Sequence, residues 1–287
     1  MVFFGAGSYV LPVIQTLNRQ FDLALVVTTE TDPNAPVPKF CKSNNVELLS
    51  ISSLSSQIIN NKLSIINCRV AVLASFGIIV PDAILNLFEL GILNIHPSLL
   101  PKYRGPTPVQ SAILAGDKVT GVSIIKLDEQ VDHGPILAQE KIDLNGTETT
   151  ENLSKKLFLL GGEMVIKIVR KIEKGLKVIE KEQDHSKAIF TEHLKRESGF
   201  VDINNPPKIE QLDRMIRAYY PWPGVWFHAK LNGIERTIKL LPEQKIQVEG
   251  KNTMQLRDFA NGYKEASDIL SILGSASDDS NSDTLNE

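Results

Sequence analysis

The chain has 287 residues, enough for two domains and a sizeable core, and its 42% hydrophobic and 23% charged residues are the proportions of a globular protein. A formal net charge of −3 excludes any global attraction for nucleic acid, so a polyanion would have to meet a local basic face. Two cysteines, Cys41 and Cys68, exclude a disulfide framework and lack metal-ligand spacing, and no apolar run reaches the roughly 18–20 residues of a membrane span. The start MVFFGAGSYV enters a strand without a basic leader, so no signal peptide, no membrane partner and a reducing, cytoplasmic setting are expected.

In chain order, the short apolar runs VFFG, LALVVT, VELLSI, VAVLAS and GILNIH alternate with helical stretches such as SYVLPVIQTLNRQ. That alternation predicts a parallel sheet covered on both faces. PTPVQSAILAGD then reads as a helix with proline in its first turn and glycine at its end. GVSIIKL and ILAQEKIDL read as two more strands, joined by the polar loop DEQVDHGP. Leu153, Leu157, Leu160, Met164 and Ile168 recur at spacings of three and four, which predicts a long amphipathic helix ended by Gly175. The charged stretch 179–199 reads as a linker holding one short strand at most. From Phe200 the texture changes to RMIRAYYPWPGVWFHAKLNG and short turn-punctuated pieces, predicting a small all-β domain over 200–273 in which Trp222 and Trp226 pack the core. The acidic tail 274–287, nearly free of apolar side chains, is expected to be disordered.

Three stretches could carry chemistry. In FFGAGSY, Gly5 and Gly7 form half of a dinucleotide fingerprint, but Val10 stands where the third glycine belongs, so a tight strand-to-helix turn is the better reading. In NIHPSLLPKYRG, Asn94 and His96 sit two apart at the end of a strand and project to the same face, before Pro97 and Pro101 take the chain out of the sheet. Such a pair is either a satisfied turn or a donor and a titratable ring held together at a strand exit, where ligands bind in open α/β sheets. DEQVDHGP supplies Asp128, Glu129, Asp132 and His133, either a solvated acidic loop or the source of one carboxylate that orients His96. The five histidines show no metal-site clustering, and no G-x-S-x-G or Cys motif supplies a nucleophile. Asn, His and Asp without a protein nucleophile suit a transfer in which the acceptor itself attacks.

Asn94, His96, Ser98-Leu99-Leu100-Pro101, Arg104-Gly105 and Asp132 before Gly134 together resemble the signature of the folate-dependent formyltransferases. VFFGAGSYVLPVIQTL is similar to that family's opening strand and helix, and ASFGIIVP to the segment lining its pteridine pocket. RAYYPWPGVWF resembles the C-terminal hallmark of the branch that acts on methionyl-tRNA. The resemblance implies a Rossmann-like, mostly parallel α/β formyltransferase domain over 1–178 and a small C-terminal OB-like β-barrel domain over 200–273. It implies 10-formyltetrahydrofolate as formyl donor and initiator methionyl-tRNA as acceptor, in an enzyme of translation initiation; apart from the resemblance, no metal and a monomer are expected.

The resemblance further implies that Asn94, His96 and Asp132 are catalytic. The turn Ser98, Leu99, Leu100, Pro101 and the wall Phe76, Gly77, Ile78, Ile79, Val80 would hold the folate. The family's methionyl-tRNA branch carries a long basic loop after the second strand, whereas TETDPNAPVPKF here holds only Lys39. That leaves Lys102, Arg104, Arg214, Arg217, Lys230 and Arg236 as the candidates to meet the tRNA. An amino-sugar nucleotide N-formyltransferase using the same donor is the alternative within this chemistry. A folate- or nucleotide-binding module without catalysis is the alternative outside it.

Overall fold

The computed structural model describes residues 1–54, 57–66, 68–272 and 274, which fall into two compact units, 1–193 and 194–287. In the first unit the elements run β1 (Val2–Gly5), α1 (Leu11–Gln20), β2 (Leu25–Thr28), α2 (Pro36–Asn44), β3 (Leu48–Ser50), α3 (Gln57–Ile66), β4 (Ala71–Ala74), α4 (Asp82–Leu85), β5 (Ile92–His96), α5 (Pro108–Ala115), β6 (Val119–Lys126), β7 (Ile136–Asp143) and α6 (Thr150–Glu173). The seven strands form one sheet in the order β3-β2-β1-β4-β5-β6-β7. Strands β1 to β5 pair in parallel, and β6 and β7 add antiparallel to the end.

The inner strands are apolar on both faces because helices cover both, and β1, β2, β4 and β5 are buried throughout. Helix α6 starts at a capping box, in which Thr149 Oγ1 accepts from the Asn152 amide at 3.3 Å and Asn152 Oδ1 accepts from the Thr149 amide at 3.0 Å. It lies against α1, β5 and β6. Its Gly161 permits the close approach, since a methyl there would overlap Cγ2 of Ile95 on β5. The chain leaves α6 through Gly175 at φ +68°, as the sequence predicts.

The stretch 179–193 belongs to the first unit and is no free linker. Ile136 and Lys181 exchange backbone hydrogen bonds of 2.8 and 2.9 Å, and the Arg104 and Thr191 amides donate to Ile189 and Arg104 carbonyls at 2.8 Å. Its charge-rich side chains made it read as a linker, yet the backbone of Arg104 and Ile136 supplies its partners.

The second unit comprises α7 (Ile209–Ala218), β8 (Val225–Leu231), β9 (Ile234–Leu241), β10 (Lys245–Val248), β11 (Met254–Gln255), α8 (Leu256–Gly262) and α9 (Ala266–Ile272). Its antiparallel strands form a sheet in the order β11-β10-β9-β8. Among the described residues β8 and β11 do not pair with each other, so this is an open sheet in place of the expected closed barrel. Nor is the unit all-β. Leu212 of α7, Phe259 of α8 and Ala266, Ile269 and Leu270 of α9 complete a core built on Val225, Phe227, Ile238 and Ile246. Trp222, expected in that core, is 57% exposed. Period-two alternation in β8 instead sends Val225 and Phe227 inward and leaves Trp226 and His228 on the outer face. The expected acidic tail lies outside the described residues except for Gly274.

Candidate active site

Strand β5 ends the parallel part of the sheet, and its last residues carry the site. Asn94 and His96, buried on the same side of β5, both meet Asp132 from the β6–β7 loop. Asn94 Nδ2 donates to Asp132 Oδ1 at 3.0 Å, and His96 Nδ1 lies 3.4 Å from the same oxygen. Asp132 Oδ2 accepts from the Gly105 amide at 2.8 Å. His96 Nε2 lies 2.9 Å from the Tyr103 carbonyl oxygen, an acceptor, so Nε2 carries a hydrogen and donates it. The fold thus brings the three expected catalytic residues together, Asn94 and His96 by their spacing on β5 and Asp132 from the β6–β7 loop.

Burial opposes a charge on His96 most strongly, but the adjacent Asp132 carboxylate and the Tyr103 carbonyl outweigh it and raise the ring's pKa. For Asp132, burial likewise works against the charge, while His96, the Gly105 amide and Arg104 overcome it and hold the carboxyl below its usual range. Both shifts favour the imidazolium and carboxylate forms of the pair. Both nitrogens of His96 have partners. The second hydrogen of Asn94 Nδ2 is therefore the donor that can serve a new oxygen without breaking a bond to Asp132. Among the acidic loop's other groups, Asp128 turns away to His133, at 2.6 Å from Nδ1.

The turn after β5 is a scaffold. Ser98 is fully buried, and Ser123 Oγ donates to its carbonyl at 2.7 Å and accepts from the Leu100 amide at 3.0 Å. Gln139 Nε2 donates to the Leu100 carbonyl at 3.0 Å, and the Ile189 amide to that of Pro101 at 3.2 Å. These backbone groups, expected to face folate, are bound within the protein. In the wall after β4, Phe76 and Val80 point into the core, whereas Gly77 and Ile79 are exposed and Ile78 is half-buried. Leu127, at the start of the loop that carries Asp132, packs against the same core cluster as Ile78. The Gly5–Gly7 turn does not offer a phosphate cradle. Glu30 already accepts from the Gly7 amide at 3.1 Å and, at the start of α2, from the Val37 amide at 2.9 Å.

Several residues expected to meet tRNA are occupied otherwise. Arg104 is 3% exposed, and its guanidinium donates to Gln183 Oε1 at 2.8 and 3.3 Å and lies 2.8 Å from His185 Nδ1. Arg217 is paired with Asp213 at 2.7 Å on one face of α7, and the buried Nε of Arg214 has no hydrogen-bond partner among the described residues. Lys102 is half-exposed and paired with Asp117 at 2.7 Å. Lys230 is exposed and Arg236 half-buried on β8 and β9. Sequence reasoning missed Gln183, Ser123, Gln139 and Glu30. Their chain neighbourhoods carry no motif, and only the fold brings them to the turns they hold. Among the described residues no group of three or more His, Cys, Asp or Glu is arranged to hold a metal ion, and no helix is long and apolar enough to cross a membrane.

Comparison with known proteins places this geometry in context. A family model described as formyl transferase matches residues 6–169. Methionyl-tRNA formyltransferase of Chloroflexus aurantiacus is 37% identical over 235 residues, covering 79% of this chain and 75% of the relative. The enzyme of the same name from Thermodesulfovibrio yellowstonii is 30% identical over 299 residues, covering 92% of this chain and 96% of the relative. Among solved structures, a 4-N formyltransferase from Francisella tularensis shares the fold with a TM-score of 0.66 at 20% identity, covering 84% of this chain and 98% of that one.

Proposed function

From the premise that this chain belongs to the formyl transferase family, we propose that it moves the formyl group of 10-formyltetrahydrofolate onto the α-amine of methionine on initiator methionyl-tRNA. The observation that carries the reaction is the Asn94–Asp132–His96 constellation at the end of β5. The amine attacks the formyl carbon and gives a tetrahedral intermediate whose oxygen gathers negative charge. Collapse breaks the bond to N10 of the folate, and the proton lost by the amine ends on that nitrogen. Asn94 donates its second Nδ2 hydrogen to the developing oxyanion, and the imidazolium of His96 adds positive charge beside it. Asp132 keeps that charge in place and can relay the proton.

The flat faces of the donor's rings are best received by Gly77, Ile78 and Ile79. Ile79 is 69% exposed, and a side chain built at Gly77 would meet nothing within 4 Å, so this wall is open on its outer side. Val131, 45% exposed beside Asp132, offers a second apolar surface from the facing loop. For the tRNA, the outer face of β8 and β9 is the best-supported surface. Lys230 and Lys239 stand there with Trp226 and His228. The Phe200 ring is tilted by 56° against Trp226 with centroids 4.9 Å apart, and Arg196 lies 5.2 Å above the indole. Bases and aromatic faces together suit a polyanion with unpaired bases. The reading places the enzyme in the cytoplasm, at translation initiation.

The decisive assay supplies 10-formyltetrahydrofolate with either charged initiator tRNA or amino-sugar nucleotides. Formyl-methionyl-tRNA is the expected product. Formylation of the sugars alone would replace this reading with the amino-sugar one.

A further inference from the structure

Gln183 lies beyond residue 169, where the family match ends, yet it reaches the back of the catalytic loop. It is 5% exposed. Its Nε2 donates one hydrogen to the Asp132 carbonyl at 2.9 Å and the other to the Gly134 carbonyl at 2.7 Å. Its Oε1 accepts two bonds from Arg104. Every donor and acceptor of the carboxamide is therefore in use.

Asp132 needs such a partner. Its φ of +48° is a conformation that a side chain with a Cβ rarely adopts and that its surroundings must hold. The carboxylate is fixed from the front by Asn94, His96 and Gly105, and Gln183 fixes the peptide from behind. We propose that Gln183 is a positioning residue for formyl transfer, whose carboxamide sets the loop conformation that aims Asp132 at Asn94 and His96. The segment after the family core is thereby part of the active site, and the inference rests on the formyl-transfer reading.

No other side chain meets the same demands. Glutamate would set a carboxylate against two carbonyl oxygens, asparagine is one methylene short, and lysine would bring a second cation to Arg104. The groups bonded to Gln183 are Arg104 and the Asp132 loop; Arg104 also lies 2.8 Å from Nδ1 of His185, whose ring stacks on His133 with centroids 4.0 Å apart while His133 holds Asp128. Pairing of Lys181 with Ile136 and of Arg104 with Ile189 locks the segment on either side of Gln183.

The test uses the full chain with two substitutions. Gln183→Met keeps length and bulk without any hydrogen bond. Gln183→Glu keeps the acceptors for Arg104 and removes both donors. In each, kcat for transfer from 10-formyltetrahydrofolate to methionyl-tRNA should fall roughly 10–100-fold with KM for the tRNA little changed, the scale seen when outer partners of a site are lost. In Gln183→Met, an NMR titration without substrate should also show the His96 midpoint moved to lower pH, because a loosened carboxylate stabilises the imidazolium less. Wild-type kcat in either variant, or an unmoved His96 midpoint in the folded Gln183→Met protein, overturns the proposal. Should Gln183→Met fail to fold, kcat of Gln183→Glu decides. If the wild-type chain formylates no methionyl-tRNA, the activity reading fails, while the His96 titration still decides the role of Gln183.

Discussion

Asp132 takes hydrogen bonds from Asn94 and Gly105 and faces the His96 ring, so its replacement by asparagine changes charge far more than shape. One asparagine position must be an NH2, which would confront either the Gly105 amide or the Asn94 amide as donor against donor. Asp132→Asn should therefore lose most activity and lower the His96 titration midpoint. The stability difference has a defined window. The Asp132 share is present above about pH 4 and fades as pH falls through its lowered folded value. The His96 share is complete below about pH 6.5 and fades as pH rises through its raised folded value. Heat denaturation of wild type and variant should differ most between those limits and narrow on both sides to the pH-independent cost of the donor clash; a difference independent of pH throughout would deny the ion pair. Asn94→Ala should reduce kcat by roughly 100–1,000-fold, as for loss of one oxyanion donor, which steady-state kinetics will show. At this scale Asn94 and His96 were legible because residues two apart on a strand share a face, whereas Asp132 was singled out from its acidic loop by the family resemblance alone. The role of Arg104 was not, since nothing in PKYRGP distinguishes a buried guanidinium from one awaiting a phosphate.

Helix α6 and strand β5 illustrate what periodicity can and cannot give. The spacing from Leu153 to Ile168 foretold the helix, and the apolar runs foretold the first unit's strands. It could not say how near the two elements come. Gly161→Ala would drive a methyl into Ile95, between Asn94 and His96 in sequence, and overpacking of that kind costs typically 1–3 kcal/mol. Thermal unfolding should move down by about 2–4 °C per kcal/mol for a unit of this size, with activity reduced as β5 shifts. An unchanged midpoint would mean that α6 gives way easily. Glu30→Ala probes a second hidden link. It leaves the Gly7 and Val37 amides without their acceptor, a loss of roughly 1–3 kcal/mol where water cannot replace it. In the second unit, turn signals hid three helices, because dipeptides such as NG and EG mark chain reversals without saying what they join.

For the whole molecule, the limits of the two units decide how the chain can be divided. A chain ending at Ile179 removes Gln183 and the strand-like pairs at Lys181 and Phe190, so it should lose formyl transfer even where it folds. A chain ending at His193 retains the compact first unit with the Asn94, His96 and Asp132 contacts. Its His96 titration should match that of the full chain. The bases Lys230 and Lys239 are then gone, and with them the surface proposed for the polyanion. Each phosphate contact contributes about 0.7–0.9 to the slope of log affinity against log salt. The full chain should therefore lose affinity for charged tRNA steeply as salt rises, and the chain ending at His193 should bind weakly with a shallow slope and formylate poorly. Equal slopes and equal rates in the two proteins would place tRNA recognition entirely within residues 1–193, with Lys102 as its foremost candidate.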